Sequence, residues 1–88
     1  MKDDMLANVH RRSIRHREEI LSSKACGCFY CIALFAPAEI RDWIDEERGV
    51  GQTALCPHCG IDSVVGDGSG FEIGEFLLRR MNKRFFQV

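Results

Sequence analysis

The sequence of 88 residues has no low-complexity tract and no long apolar run. The first absence, together with an apolar content of 45% and a charged content of 28%, excludes a disordered or fibrous chain. The second excludes a membrane-spanning helix, which needs ~20 consecutive apolar residues. The N-terminal segment MKDDMLANVHRRSIRHREE also lacks the apolar core of a signal peptide. These absences predict a cytoplasmic protein that does not associate with membranes.

A large hydrophobic core is excluded as well, because a chain of this length has room for one small domain. Such a domain buries only about 60% of the surface that its unfolded chain exposes. Small domains therefore often need a disulfide or a metal ion to become stable. We expect one of these two devices here.

Five cysteines are the feature that this short sequence has in abundance. Disulfides are rare in a reducing cytoplasm, and an odd number of cysteines fits poorly with a complete disulfide framework. Four of the five form two Cys-x-x-Cys motifs, each of which can wrap a tight turn and direct both sulfurs at one ion. Two such turns complete a tetrahedron. The sequence therefore predicts one structural Zn²⁺ ion held by Cys28, Cys31, Cys56 and Cys59.

The fifth cysteine, Cys26, lies two residues before Cys28. It could replace Cys28 as a ligand, or it could be a buried apolar side chain. Cys28 is preferred because its spacing to Cys31 matches that of the second motif. Inside that second motif, His58 is expected to be a surface imidazole, and Gly60 permits the positive φ that turns backbone N–H groups toward the sulfurs.

Helical periodicity predicts a first helix over residues 4–22, or two shorter helices if Ser13 acts as an N-cap. His10 and His16 are expected on its solvated surface. A second helix is predicted from Pro37 to Arg48, because proline suits the first helical position and apolar residues recur at helical spacing. Its buried face would consist of Ile40, Trp43 and Ile44.

Residues 52–66 predict a β-hairpin with the second knuckle at its turn, followed by a flexible loop over 66–70. A third helix is predicted over about 74–86, with an apolar face made of Ile73, Phe76, Leu77, Met81 and Phe85. The fold class is thus α+β, a small zinc-stabilised domain with two zinc knuckles, a short β-hairpin and about three helices. Its single domain covers residues 1–88, with an N-terminal helical segment (1–24), a two-knuckle zinc core (25–70) and a C-terminal helix (71–88).

The net charge of −1 hides a segregated distribution, since both ends of the chain are basic and the middle is acidic. The basic ends could pack against the acidic centre. Alternatively, they could form one face that binds nucleic acid, provided that the structure brings them together. The side chains concerned are His10, Arg11, Arg12, Arg15, Arg79, Arg80, Lys83 and Arg84.

The segments ACGCFYC, APAEIRDWIDE and GQTALCPHCGIDSVVGDGSG resemble a group of short, uncharacterised bacterial cytoplasmic proteins. These proteins share a CGCFYC segment, an I-x-x-W-I-D helix and a TALCP-x-CGIDSV segment, and the resemblance covers roughly residues 13–86. It implies a cytosolic, zinc-ribbon-like domain and no particular activity. The cysteine knuckles also resemble, less closely, those of HNH-type treble-clef nucleases. The catalytic groups of such nucleases are not evident here, because His58 lies between two ligands and Asp62 is a single carboxylate.

A site filled by four cysteines leaves no open position for a substrate or an activated water, which argues against metal catalysis. The leading hypothesis is therefore a non-catalytic module that binds another protein. Nucleic-acid binding is the first alternative, and a nuclease-like or thiol enzyme is the second. A thiol catalyst would usually place its Cys-x-x-Cys pair at a helix N-terminus in a βαβ setting, and neither pair has that context. No small-molecule substrate is evident.

Overall fold

The computed structural model describes residues 5–86, which form a small α+β domain. Within this range there are three α-helices: α1 (Met5–His10), α2 (Arg17–Leu21) and α3 (Glu75–Phe86). There are also five short strands: β1 (Cys26–Cys28), β2 (Leu34–Phe35), β3 (Trp43–Glu47), β4 (Val50–Ala54) and β5 (Val64–Gly66). The predicted fold class is confirmed. Residues 1–4 and 87–88 lie outside the described residues. They include both ends of the predicted domain and the first residue of the predicted first helix.

The strands form two small antiparallel sheets. One sheet has the order β2-β1-β5, with Gly27 opposite Leu34 on one side and opposite Val65 on the other. The second sheet is the hairpin of β3 and β4, with Trp43 opposite Ala54. The first knuckle joins β1 to β2, and the second joins β4 to β5. The strands therefore hold in place two knuckles that are far apart in the sequence.

Two clusters of buried side chains form the core. The first lies between α1, α3 and the sheet, and it contains Val9, Phe29, Val65, Leu78 and Met81, with further residues around them. Here β1 approaches α3 so closely that a Cβ on Gly27 would lie 2.6 Å from Leu78 Cδ1, so a larger residue would have to displace the buried Leu78 side chain. The second cluster surrounds the knuckles and consists of Ile20, Cys26, Cys28, Phe35, Ala54, Cys56 and Val64.

The N-terminal segment contains two short helices, as in the second of the two predictions for residues 4–22. The break lies at Ile14, which is extended, and at Arg15, which has a φ of 47°. Ser13 does not cap α2; its hydroxyl donates to the carbonyl of His10. His16 precedes α2 instead, and its N–H donates to the Gln52 carbonyl of β4 at 2.8 Å. This contact with another part of the chain interrupts the helix.

The predicted helix from Pro37 to Arg48 is wrong. Only Pro37–Glu39 forms a single 3-10 turn, and Trp43–Glu47 is strand β3. The turn between β3 and β4 has positive φ at Arg48 (55°) and Gly49 (83°), as a two-residue hairpin turn of type I′ requires. Ile40 and Trp43 are half-buried, and Ile44 is exposed. The expected buried helical face therefore does not exist.

The predicted hairpin over residues 52–66 is also wrong, because its two arms belong to different sheets. Strand β4 pairs with β3, whereas β5 pairs with β1. Residues 67–69, within the predicted flexible loop, form a 3-10 turn. Within the second knuckle, the Cys56 N–H donates to the Ile61 carbonyl at 2.9 Å.

The C-terminal helix is present, and α3 buries Leu77, Leu78 and Met81. Ile73 is buried just before it, and Phe85 is half-buried. Phe76 was expected on this buried face but is 77% exposed. Successive residues of an α-helix are rotated by about 100° from each other, so Phe76 does not share the direction of the buried Leu77. None of the helices that the structure describes is long and apolar enough to cross a lipid bilayer.

Candidate metal centre

The four predicted ligands converge on one point. The sulfurs of Cys28, Cys31, Cys56 and Cys59 all lie within 4.8 Å of one another. The distance between the sulfurs of Cys28 and Cys59 is 3.6 Å, and that between the sulfurs of Cys31 and Cys56 is 3.7 Å. Four sulfurs bound at about 2.3 Å to one tetrahedral ion would be about 3.8 Å apart. The cluster therefore has the dimensions of a tetrathiolate metal site, and its cysteines form no disulfide.

The two knuckles have the same backbone geometry. In the first, the Ile32 N–H donates to the Cys28 carbonyl at 2.8 Å. In the second, the Gly60 N–H donates to the Cys56 carbonyl at 2.9 Å. In both cases the donor is the residue directly after the second cysteine, and the acceptor is the first cysteine. Backbone hydrogen bonds alone thus close each Cys-x-x-Cys motif into a tight loop.

Both loops close through a residue with positive φ. Gly60 has a φ of 79°, as expected, and Ile32 occupies the equivalent place with a φ of 67°. Positive φ is unfavourable for a β-branched residue by roughly 1–2 kcal/mol, whereas glycine adopts it freely. The first knuckle therefore holds a strained residue at the position where the second has glycine. This strain cannot be predicted from the sequence, because isoleucine rarely adopts a left-handed conformation.

Backbone N–H groups point at the sulfurs in both knuckles. The Tyr30 N–H donates to Cys28 Sγ at 3.3 Å. In the equivalent place, the His58 N–H donates to Cys56 Sγ at 3.3 Å, and the Cys59 N–H approaches the same sulfur at 3.4 Å. Such hydrogen bonds stabilise negative charge on a thiolate. They prepare the cysteines to carry the charge that metal coordination requires.

The surroundings affect the four thiols unequally. Burial raises the pKa of Cys28, although N–H groups of the knuckle partly oppose it. Burial also raises the pKa of Cys59. At Cys56, burial acts in the same direction, but the N–H groups of Cys59 and His58 and the neighbouring thiols outweigh it and lower the pKa. A bound cation would favour the thiolate form of every ligand, because it adds positive charge at the centre of the cluster.

The ligands also differ in burial. Cys28 and Cys56 are buried, Cys59 is half-buried and Cys31 is exposed. One side of the cluster therefore lies against the second core cluster, and the other faces solvent. Binding of a metal ion would tie the surface of the first knuckle to the core.

Cys26 is not part of the cluster. It is fully buried in the second core cluster, and burial, with the negative charge of Asp67, raises the pKa of its thiol to about 12. This is the behaviour of a buried apolar side chain, one of the two alternatives for this residue. His58 is exposed, and its ring lies 5.9 Å from that of Phe35.

Asn82 of α3 holds the first knuckle in place, which the sequence did not indicate. Its side-chain amide donates to the carbonyls of Phe29 and Tyr30, both at 3.0 Å. The Phe29 N–H donates in turn to the Ser63 carbonyl at 3.0 Å. The amide of Asn82 thus fixes the loop that carries Cys28 and Cys31. An asparagine in a helix could have been assigned equally well to the solvated surface.

His16 was expected on a solvated surface, and that prediction is wrong. The residue is buried, and its Nδ1 lies 2.6 Å from the Arg12 carbonyl oxygen. Its Nε2 accepts a hydrogen bond from the Ala54 N–H at 3.2 Å. Because a carbonyl can only accept and an N–H can only donate, the ring is the neutral tautomer with its proton on Nδ1. His16 joins the N-terminal segment to β4, two residues before Cys56.

The eight basic side chains that could form a nucleic-acid-binding face have different surroundings. Arg12 and Arg79 form ion pairs with Glu19 at 3.0 Å and Glu75 at 2.6 Å, and Arg15 pairs with Glu47. The Arg80 guanidinium lies 5.7 Å above the ring of Phe76. The other four, at the C-terminal ends of α1 and α3, are His10, Arg11, Lys83 and Arg84. The ring of His10 stacks on that of Phe85 at 4.2 Å, so the two helix ends adjoin each other.

Comparisons with other proteins identify no relative of this chain. No family model matches the chain. No curated protein matches it, and no solved structure does. The site is therefore interpreted from its own chemistry.

Proposed function

We propose that this protein is a structural zinc module that acts by binding another protein and has no catalytic activity of its own. The observation that carries the proposal is the cluster of four cysteine sulfurs with the spacing of a tetrahedral site. Two knuckles of equal geometry, each joined to a sheet, support a zinc-ribbon-like arrangement. Membership of the bacterial group that the sequence resembles, and a cytoplasmic location, remain predictions.

Zinc is the metal that this donor set favours. Four thiolates in a tetrahedron suit Zn²⁺, which has no geometric preference of its own and binds cysteine readily. Bound zinc would join β1, β2, β4 and β5 through their knuckles. Structural zinc in small domains contributes roughly 10–16 kcal/mol of apparent binding energy, which exceeds the stability of most domains of this size.

The absence of catalysis is inferred from the ligand count. Four cysteines fill a tetrahedral ion, so no position is left for a substrate or an activated water. A thiol enzyme remains the alternative, and it predicts a metal-free protein that oxidises readily. A nuclease-like site has little support, because Asp62 and His58 are both exposed and are separated by the ligand Cys59.

A protein partner is favoured by the exposed apolar surface beside α3. Phe76 is 77% exposed and stands at the edge of a groove of about 240 Å³. Met5, Phe71 and Leu77 line the same groove. Exposed aromatic side chains beside apolar grooves are common anchors in protein interfaces.

Metal content is the first test. One equivalent of zinc per chain, bound by wild type and by Cys26→Ala but lost in Cys56→Ser, is the expected result. A wild-type chain that folds without metal and carries a readily formed disulfide would favour a thiol enzyme instead.

The partner is tested by affinity capture with the zinc-loaded chain, with Cys56→Ser and Phe76→Ser as matched controls. A captured protein supports the proposal when, after purification, it binds wild type saturably and binds both variants at least about tenfold more weakly. Consistent recovery of nothing that meets this standard would overturn the assignment.

A further inference from the structure

A continuous group of aromatic rings surrounds the C-terminal end of α3. The ring of Phe29 lies at its centre, 6.1 Å from that of Phe85 and 5.6 Å from that of Phe86. His10 stacks on Phe85, and Tyr30 meets Phe86 edge to face at 4.9 Å. His10, Tyr30 and Phe86 are exposed, and the two phenylalanines between them are less so. The group therefore has a buried centre and a rim of accessible rings.

Positive charge lies at the same place. Arg11, Lys83 and Arg84 are exposed at the ends of the two helices that carry these rings. The Arg84 guanidinium lies 5.3 Å above the ring of Phe85. Arg11 donates to the neutral side-chain oxygen of Asn8, and within residues 5–86 neither Arg11 nor Lys83 forms an ion pair. In this part of the chain the charges of Arg11 and Lys83 are therefore not neutralised by a carboxylate, as those of Arg12, Arg15 and Arg79 are.

Accessible rings and nearby cations are the two components of a surface that binds single-stranded nucleic acid. Bases stack on the rings, and the cations attract the phosphates. In a duplex the bases are already stacked inside and cannot reach such rings. We propose that this aromatic–basic face, which consists of His10, Arg11, Tyr30, Lys83, Arg84 and Phe86, binds single-stranded nucleic acid without strict sequence preference.

This function goes beyond the proposed protein partner and uses a different surface. The apolar groove contains Phe76, near the start of α3, and the aromatic–basic face lies at its end. The first knuckle links the face to the metal, because Tyr30 lies between the ligands Cys28 and Cys31. Zinc would hold the Tyr30 ring where it meets Phe86.

The test is a fluorescence anisotropy titration of the zinc-loaded full chain with labelled oligonucleotides of about 12 residues, in keeping with the site size of small single-strand-binding domains. The probes are oligouridylate, oligothymidylate and a DNA duplex of equal length. Saturable binding of at least one single strand, tighter than that of the duplex, is expected. A preference for the RNA probe would point to contacts with the 2′-hydroxyl, and equal binding would point to stacking and phosphate contacts alone.

Salt dependence measures the phosphate contacts. Three contacts predict a slope of about −2 in log affinity against log salt, or a loss of roughly 20-fold between about 25 and about 100 mM salt. Absence of saturable binding to either single strand at the lower concentration would overturn the proposal. So would binding of the duplex that equals or exceeds that of both single strands.

Matched variants locate the surface. Phe86→Ala should weaken binding about fivefold or more, because stacking on one ring is worth at least about 1 kcal/mol per base. Phe76→Ala removes an exposed phenylalanine from the other end of the same helix and should leave binding unchanged. Lys83→Glu should weaken binding, whereas Arg41→Glu makes the same change of charge at an exposed site on the segment before β3 and should have little effect.

Zinc content and thermal midpoint are measured for all four variants, and Lys83→Glu provides the test if Phe86→Ala does not fold. Binding that Phe76→Ala abolishes and Phe86→Ala leaves intact would overturn the proposal. An equal loss in Lys83→Glu and Arg41→Glu would do the same, because it would reflect net charge rather than a site. Neither result would affect the test for a protein partner, which uses its own captured ligand.

Discussion

His16 accepts a hydrogen bond through Nε2 from the Ala54 N–H at 3.2 Å, while its Nδ1 donates to the Arg12 carbonyl at 2.6 Å. One buried imidazole thus links the break between α1 and α2 to the end of β4. From there the chain continues directly into the second knuckle. The position of Cys56 consequently depends on a residue that is 40 positions earlier in the chain and is not part of the cysteine cluster.

The protonation of His16 should make stability depend on pH. Burial lowers its pKa below the ordinary value of 6.5, although the Arg12 carbonyl acts in the opposite direction. Below pH 6.5 the unfolded chain therefore binds more protons than the folded one. The stabilising contribution of neutral His16 is complete above pH 6.5 and is lost progressively as the pH falls toward the folded-state value. Urea unfolding of the zinc-loaded chain at about pH 7.5 and about pH 5.5 measures this loss.

The control for this prediction is His16→Leu, because thiolate ligands are also protonated on acidification. The variant leaves the Ala54 N–H and the Arg12 carbonyl without their partner, and it should lose about 2–4 kcal/mol at neutral pH. It should lose less additional stability than wild type when the pH is lowered. Equal losses in both proteins would show that His16 does not contribute to the pH dependence.

Thr53 provides a second test of the same junction. Its hydroxyl accepts the Arg15 N–H at 2.8 Å and donates to the Asp45 carboxylate at 2.8 Å. Thr53→Val keeps the shape of the side chain but removes both hydrogen bonds in a fully buried position, so it should lower the free energy of unfolding by about 1–3 kcal/mol. Thr53→Ser keeps the hydroxyl and should lose less in the same urea titration. A greater loss in the serine variant would show that the methyl group matters more than the hydrogen bonds.

The features that could be predicted from the sequence are those specified by local chemistry. The Cys-x-x-Cys spacing directs both sulfurs of a motif at one point, so the clustering of Cys28, Cys31, Cys56 and Cys59 can be predicted without knowledge of the fold. The apolar positions of α3 repeat over three turns, which is long enough to define a helix and most of its buried face. The positive φ at Gly60 is also predictable, because glycine adopts it at no steric cost.

The errors concern segments whose structure depends on distant partners. Ile40, Trp43 and Ile44 have helical spacing, but three positions are too few to distinguish a helix from a strand that is half-exposed. Pairing with β4 decides between the two. The burial of His16 also has no signal in the neighbouring sequence. One of its hydrogen-bond partners, Arg12, lies before the sharp bend at Arg15, and the other, Ala54, lies in β4.

Removal of the metal should unfold the domain around Trp43. This side chain packs against the second core cluster, which includes Cys28 and Cys56, so its fluorescence reports on that core. A strong chelator, or Cys31→Ser, should shift the emission to the red and abolish cooperative unfolding, since the lost binding energy of roughly 10–16 kcal/mol exceeds the stability of a small domain. Cys26→Ala is the control and should keep both the zinc and the wild-type spectrum. An unchanged spectrum after verified removal of zinc would contradict a structural role for the metal.

The two knuckles predict different responses to substitution at equivalent positions. Gly60→Val introduces a β-branched residue at a φ of 79°, where a Cβ has no atom within 4 Å, so its cost comes from the backbone alone. We expect a loss of about 1–2 kcal/mol in the zinc-loaded protein and a smaller loss for Gly60→Asn, because asparagine tolerates this conformation.

Ile32 already bears such a strain, which its packing against the first core cluster offsets. Ile32→Gly removes both the strain and the packing, so the two effects should partly cancel. Truncating a buried isoleucine to alanine typically lowers the free energy of unfolding by about 2–5 kcal/mol, and we expect a much smaller change for Ile32→Gly. Ile32→Ala keeps the strain and loses the packing, and it should be the less stable of the two variants in urea titrations with zinc present. If the glycine variant were the less stable one, the positive φ at Ile32 would not be a source of strain. The equivalence of the two knuckles would then be limited to their hydrogen bonds.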